Sequence, residues 1–269
     1  MDQDIRNQDA VICTIALNED LYLDEWITYH IALGFAHIYL YDNTPNTFSP
    51  FVIHLMNKYP KQVSIFHAPG HAMQYPAYNH FLANEASKKH KWVAFIDIDE
   101  FIVLHKHNNI TDFLKDHCPS GAVCINWYIF GTSHQQAYST EPLVKRMRYR
   151  EKNVNQHVKC ILCIQDVALI YNAHFAILKN EAATRDTNGK DIRGPFNPDG
   201  PTDVAQINHY YYKSKQEHID RRGGNDSFSG DGCKRIVDSD ETLVKFNQTY
   251  DESAFVHFLK YQKSKNSLL

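Results

Sequence analysis

The chain has 269 residues, 43% of them hydrophobic, enough to bury a full core as one large domain or two small ones. A formal net charge of −3 and a pI near 6.6 lack the basic signature of a polyanion binder, so nucleic acid is not an expected partner. The abundance of Tyr, Phe and His suits a groove for a polar, ring-shaped ligand.

The opening "MDQDIRNQDAVICTIAL" has no basic stretch followed by an apolar one. No window approaches the roughly 20 apolar residues that span a bilayer. The expectation is a soluble protein without a transmembrane segment, cytoplasmic or peripheral at a membrane surface, or a segment of a longer anchored polypeptide. Six cysteines lack the paired spacing of a zinc site, and "CILC" (160–163) lies inside an apolar run. They are expected as buried free thiols, which favours a reducing compartment.

"AVICTIAL" (10–17) is a continuous apolar, β-branched run, the pattern of a strand covered on both faces. Next comes "NEDLYLDEWITYHIALGF", with Asn18 as an expected N-cap, apolar residues at helical spacing and Gly34 as the stop. "AHIYLYDN" (36–43) reads as a second strand ending in Asp42, 50–59 as a helix and "QVSIFHA" as a third strand. "PAYNHFLANEASKKHK" is expected to be helical, and "WVAFIDID" (92–99) is read as a fourth strand ending in Asp97 and Asp99. Strands and helices thus alternate about every 25 residues, which predicts βαβ units and a mainly parallel sheet. Right-handed crossovers then bring Asn18, Asp42, Asp97 and Asp99 to one sheet edge, where ligands of open α/β sheets bind.

After residue 103 the pattern changes. A short helix "ITDFLKDH", a strand "GAVCINWYIFG" and a polar loop are followed by two β segments around Asp166. A long loop, a strand "AQINHYYYKS", a helix "SKQEHIDRRG", a loop "GNDSFSGDGCK" and a helical tail complete the chain. The expected organisation is one domain over 1–269, with a nucleotide-binding half (1–104) and a mixed half with long functional loops (105–269).

Two aspartates one residue apart can approach a divalent cation, and oxygen ligands suit Mg²⁺ or Mn²⁺ clamping a diphosphate. There is no G-x-x-x-x-G-K-[ST] loop and no G-x-G-x-x-G after the first strand, so the cation must do most of the neutralising. A nucleotidyltransferase, which would carry a Gly-rich phosphate loop near its start, is disfavoured. Asp-x-Asp after an apolar strand at the ligand edge points to a nucleotide-sugar transferase.

"ALNEDLYLDEWITYHIALGFAHIYLYDN" resembles the opening of glycosyltransferase family 92, within the family-2-like GT-A superfamily, through Asn18, Glu19, Glu25, Trp26, Tyr29, His30, Leu33, Gly34, Tyr41, Asp42 and Asn43. The resemblance continues in order through "WVAFIDIDEF", "NWYIFGTSHQ", "VKCIL", "AHF" and "NHYYYKSKQEHIDRRG". Gln165 stands where a Pro often follows the "VKCIL"-like strand.

The resemblance implies a GT-A-like fold: a Rossmann-like, mainly parallel central sheet flanked by helices, with a mixed C-terminal half. It also implies an inverting hexosyltransferase that uses a nucleoside-diphosphate donor, UDP-linked by expectation, and a glycan, lipid-linked or protein-linked acceptor. By matched position, Asn18, Glu19, Asp42, Asp97, Lys213 and Arg222 would contact the nucleotide sugar. Asp97, Asp99 and His209 would hold the metal, with imidazole favouring Mn²⁺ over Mg²⁺.

The base that takes the acceptor's proton is not fixed by spacing. Asp226, in "RGGNDSF", and Glu217 are the candidates, ahead of Asp166 and Asp231. Trp127, Phe130 and His134, with Tyr128 beside them, are expected as an acceptor platform. Trp26, Tyr29, His30 and Trp92 are expected to be packed core. The competing reading is a non-catalytic sugar- or partner-binding module on a degenerate GT-A scaffold.

Overall fold

The computed structural model of the protein describes residues 7–84, 87–198, 200–222 and 238–266. Strand β1 (Asn7–Ala16) is followed by helix α1 (Asp20–Ala32), β2 (His37–Asp42), α2 (Pro50–Lys58), β3 (Val63–His67), α3 (Gln74–Ala83) and β4 (His90–Phe95). These strands pair in parallel in the order β3-β2-β1-β4. The apolar run of β1 is explained by burial on both faces: Ala10 and Ile12 join the core under α1, whereas Val11, Cys13 and Ile15 join the core under α3.

Local chemistry sets the helix starts. Ser49 caps α2 by accepting from the Val52 N–H, with Pro50 in the first turn. At α1 the expected cap is displaced by one residue. Glu19 holds the N-cap position without a side-chain cap bond, and Asn18 sits before it at φ 59°, a left-handed conformation that Asn tolerates.

The fourth strand is shorter than expected. It stops at Phe95 because residues 96–99 turn the chain back: the Asp97 N–H donates to the Glu100 carboxylate (2.9 Å), and the Glu100 N–H donates to the Asp97 carbonyl. Glu100 then opens a new strand, β5 (Glu100–Leu104), its side chain fully buried.

Helix α4 (Ile110–His117) leads to β6 (Ala122–Ile129), a one-turn helix α5 (Leu143–Arg146), the short β7 (Tyr149–Arg150) and the long β8 (Asn155–Cys163). β8 and β9 (Val167–Ile170) are the expected two β segments around Asp166, and β9 forms a hairpin with a further strand, β10 (Ala176–Leu178). Then come β11 (Thr184–Arg185), β12 (Ala205–His209), α6 (Lys215–Arg222), α7 (Asp240–Val244), β13 (Thr249–Tyr250) and α8 (Ser253–Asn266).

β8 enters the main sheet antiparallel to both β4 and β6, β12 runs parallel to β6, and β5 closes the edge antiparallel to β12. Two reversals restore the direction of β1, so β1, β2, β4, β6 and β12 all point their C-termini to one side. The mainly parallel α/β sheet flanked by helices, mixed toward its C-terminal half, is thus as expected. The five cysteines among the described residues are free and buried, also as expected; Cys233 lies outside them.

Candidate active site

The aligned strand ends border a cavity of about 780 Å³. Its wall takes Asn18 and Glu19 from beyond β1, Asp97 and Asp99 from the turn after β4, and His209, Tyr211 and Lys213 from the end of β12. Helix α6 adds Glu217, Asp220 and Arg221. Both halves of the chain therefore supply the site.

Asp99 is the most buried carboxylate of the wall, with 3% of the side chain exposed. Its Oδ2 accepts from Arg221 Nη1 at 2.6 Å, and its Oδ1 lies 3.5 Å from His209 Nε2. Burial alone would raise this carboxyl, but the Arg221 charge, with His209 and Lys213, overcomes that and holds it well below the usual carboxylate range. Asp97 faces the other way: Oδ1 accepts from Gln74 Nε2 (3.1 Å) and Oδ2 from Lys159 Nζ (2.9 Å). Lys159, on β8, is almost fully buried and also lies 3.5 Å from Glu100 Oε2.

Lys213, at φ 55°, is buried over the Tyr22 ring (3.6 Å to the centroid) and donates to Glu19 Oε2 at 3.1 Å. Burial lowers its ammonium, against the pull of Glu19.

Asp99 and His209 fit a divalent cation. Two neighbouring ligands of an octahedral ion at about 2.1 Å are about 3 Å apart, close to the separation found here. Asp97 does not join them, being engaged by Lys159 and Gln74. Among the described residues no group of three His, Cys, Asp or Glu is arranged to hold a metal. A cation here would need oxygens from a diphosphate and water to complete its shell.

Several expected site residues sit elsewhere. Asp42 is buried and absent from the cavity wall; Oδ1 accepts from the Thr44 N–H and hydroxyl, and Oδ2 from the Ser49 N–H. It caps the turn after β2. The expected acceptor platform does not form: Phe130 is core against Tyr210 (4.7 Å between centroids), and Trp127 is buried against His157, His174 and His209. His134 is exposed beside Tyr149, outside the wall. Tyr22, Tyr75, Tyr138, Tyr211 and Tyr212 are the tyrosines placed in the wall instead.

Glu217 reaches the site but is fully engaged. Its oxygens accept two bonds from the Arg146 fork (2.6 and 2.7 Å), one from the Tyr22 hydroxyl (2.6 Å) and one from the Ser214 N–H (2.9 Å). Burial would raise its carboxyl; the Arg146, Ser214 and Tyr22 bonds win and bring it down to about 2. Asp226 lies outside the described residues, as does the side chain of Arg222. The arginine in the wall is Arg221, which the sequence reading passed over. Glu217 and Arg221 are four apart and share a helix face, and that spacing was the available signal. The lone Lys159 in the apolar run "VKCILC" was another, since a buried lysine demands a buried partner.

The family signature of glycosyltransferase family 92 matches residues 8–253. The chain belongs to that family. It is 30% identical over 106 residues to a glycosyltransferase family 92 protein of Oryza sativa subsp. japonica, covering 39% of this chain and 18% of that one. It is 34% identical over 95 residues to a family 92 protein of Ricinus communis, covering 35% and 16%. These matches span less than a fifth of the relatives' own length. Among solved structures, TarS 1-349 of S. aureus aligns with a TM-score of 0.37 and 13% identity, over 58% of this chain and 47% of that one. No helix among the described residues is long and apolar enough to cross a membrane.

Proposed function

We propose that the chain is a metal-dependent, inverting glycosyltransferase that moves a sugar from a UDP-linked donor to a hydroxyl of a glycan acceptor. The observation that carries this reading is the pairing of Asp99 and His209 within one cavity beside the cations Arg221 and Lys213, at the C-terminal edge of the sheet. Asp99 and His209 would hold Mn²⁺ or Mg²⁺, which offsets the charge developing on the departing diphosphate. Lys213, anchored by Glu19, lends a fixed positive charge to the same end of the donor.

Inversion takes a single displacement. The acceptor oxygen bonds to the anomeric carbon as the bond to the diphosphate oxygen breaks, and a carboxylate takes the acceptor's proton. Glu217 is poorly suited to that last role, because Arg146 and Tyr22 occupy its lone pairs. Asp226, four residues beyond the end of α6, is the proposed base. Asp97, steered by Lys159 and Gln74, would face the ribose.

Titration of UDP into the protein with and without Mn²⁺, repeated on Asp99→Asn, tests the donor site. Binding that needs Mn²⁺ and is lost in the variant is expected, together with hydrolysis of UDP-Glc, UDP-Gal or UDP-GlcNAc. If UDP, GDP and dTDP all fail to bind, the non-catalytic binding-module reading replaces this one.

A further inference from the structure

Arg221 occupies a peculiar place for an arginine in a cation site. It donates to Asp99 Oδ2 (2.6 Å), one atom away from the oxygen that faces His209. Its Nη2 lies 3.8 Å from Glu19 Oε1, beyond hydrogen-bond range, and its other N–H groups make no hydrogen bond among the described residues.

The contrast with Arg146 is instructive. Arg146 makes a two-pronged pair with Glu217 at 2.6 and 2.7 Å, with 2% of its side chain exposed. Arg221 is held by one prong and is 40% exposed, in the wall of the cavity. One arginine is a fixed structural member; the other keeps most of its fork available to a ligand with several acceptor oxygens.

Asp99 is also the carboxylate best placed for a divalent ion. A guanidinium and a dication cannot both settle on it without mutual repulsion. Lys213 cannot yield, being buried and clamped between Glu19 and the Tyr22 ring. Arg221 can.

We infer that Arg221 is a displaceable cation: in the ligand-free protein it neutralises Asp99, and it transfers to the donor's diphosphate when donor and divalent ion enter together. The inference rests on the nucleotide-sugar reading above. Its consequence is a coupling: the ion alone binds weakly because it must expel Arg221, and the donor assists the ion by giving Arg221 an alternative partner. By reciprocity the ion assists the donor equally.

The test compares wild type, Arg221→Met and Arg221→Lys. Mn²⁺ binding to the free protein is read by electron paramagnetic resonance, and UDP binding at saturating Mn²⁺ by calorimetry. Thermal unfolding confirms that each variant is folded. Arg221→Met is expected to bind Mn²⁺ alone about fivefold tighter, the upper range of an exposed ion pair. The same variant is expected to bind UDP about tenfold to a hundredfold weaker, the range of a lost charge-assisted hydrogen bond. Arg221→Lys keeps the charge without the fork and should fall between, and it carries the comparison if the methionine variant does not fold. Opposite signs on the two affinities support the inference.

If neither affinity changes, Arg221 is a surface ion pair and the inference is overturned. If both fall, Arg221 merely holds Asp99 in place, and the inference is overturned again. UDP binding that depends on Arg221 but not on Mn²⁺ overturns the exchange while keeping the diphosphate contact. No UDP binding by wild type under any condition overturns the nucleotide-sugar reading itself.

Discussion

At the residue scale, Lys159 is the cation on which the acidic turn depends. It pairs with Asp97 and Glu100 in near-complete burial, and Glu100 Oε1 has no hydrogen-bond partner among the described residues. Burial pushes the Glu100 carboxyl well above its ordinary range, with Asp97 and Asp99 adding to the rise and Lys159 opposing it. Lys159→Met is expected to cost about 3–5 kcal/mol in urea unfolding, since it leaves the buried Glu100 and the half-buried Asp97 uncompensated. Adding Glu100→Gln should restore part of that loss; a double variant no more stable than Lys159→Met would show that Glu100 is not among the groups Lys159 compensates. Glu217 leads to a second expectation. Its carboxyl is depressed from 4.5 to about 2, so the stabilisation is fully present above pH 4.5 and lost as the pH falls toward 2. Glu217→Gln should therefore cost about 3–5 kcal/mol at pH 7, with the gap to wild type closing between pH 4.5 and 2. Asn18, Asp97 and Asp99 were legible in the sequence as members of one sheet edge because each follows an apolar run that reads as a strand; Glu19, His209 and Lys213 were placed beside them only by the resemblance to family 92. Arg221 and Lys159 were missed because their partners, Asp99 and Asp97, lie far away in the chain, and no local pattern reports a long-range pair.

At the element scale, the turn between β4 and β5 decides what the acidic cluster does. Read as one strand, Asp97 and Asp99 would share a face and be equivalent. The reversal separates them, turning Asp97 to Lys159 and Asp99 to His209. The N-terminal end of β6 rests on a similar local feature. Gly121 sits at φ +68°, and an added Cβ would lie 2.3 Å from the Ala183 carbonyl oxygen, next to the β6–β11 pairing. Gly121→Ala is expected to lose more than about 2 kcal/mol from strain and collision together, measured by denaturant unfolding. A cost below about 0.5 kcal/mol would show that the 183–185 segment can move aside. On α1, His30 donates from Nδ1 to the Trp26 carbonyl (2.9 Å) and accepts at Nε2 from the Ile102 N–H (3.4 Å), the arrangement of a neutral ring. This is the packed histidine the helix pattern predicts. Its role in tying α1 to β5 follows from the reversal at 96–99 and was not legible.

At the scale of the whole molecule, buried histidines set an acid limit. Burial lowers His30 to about 3 and His174 to about 4, while in the unfolded chain both would titrate near 6.5. The unfolded state therefore binds protons that the folded state refuses, and stability should fall as pH drops from about 6.5 toward 4. His30→Phe, if it folds, should flatten that slope in thermal unfolding followed against pH. An unchanged slope would remove His30 from the account. The order of strands and helices, the apolar runs that become two-sided strands and the placing of Asn18, Asp97 and Asp99 at one sheet edge were determined by the sequence alone, because side-chain periodicity and crossover handedness are local rules; His209 and Lys213 were joined to them only through the family resemblance. Whether a carboxylate faces the cavity or caps a turn, as Asp42 does, was decided only by the tertiary structure. So was the burial of Trp127 and Phe130, and the choice of Arg221 as the cation on Asp99. Trp127, Phe130 and Arg221 each depend on partners distant in the chain that long-range packing alone brings into contact, whereas Asp42 is held by Thr44 and Ser49 close by in sequence, in a turn whose geometry no residue pattern fixes.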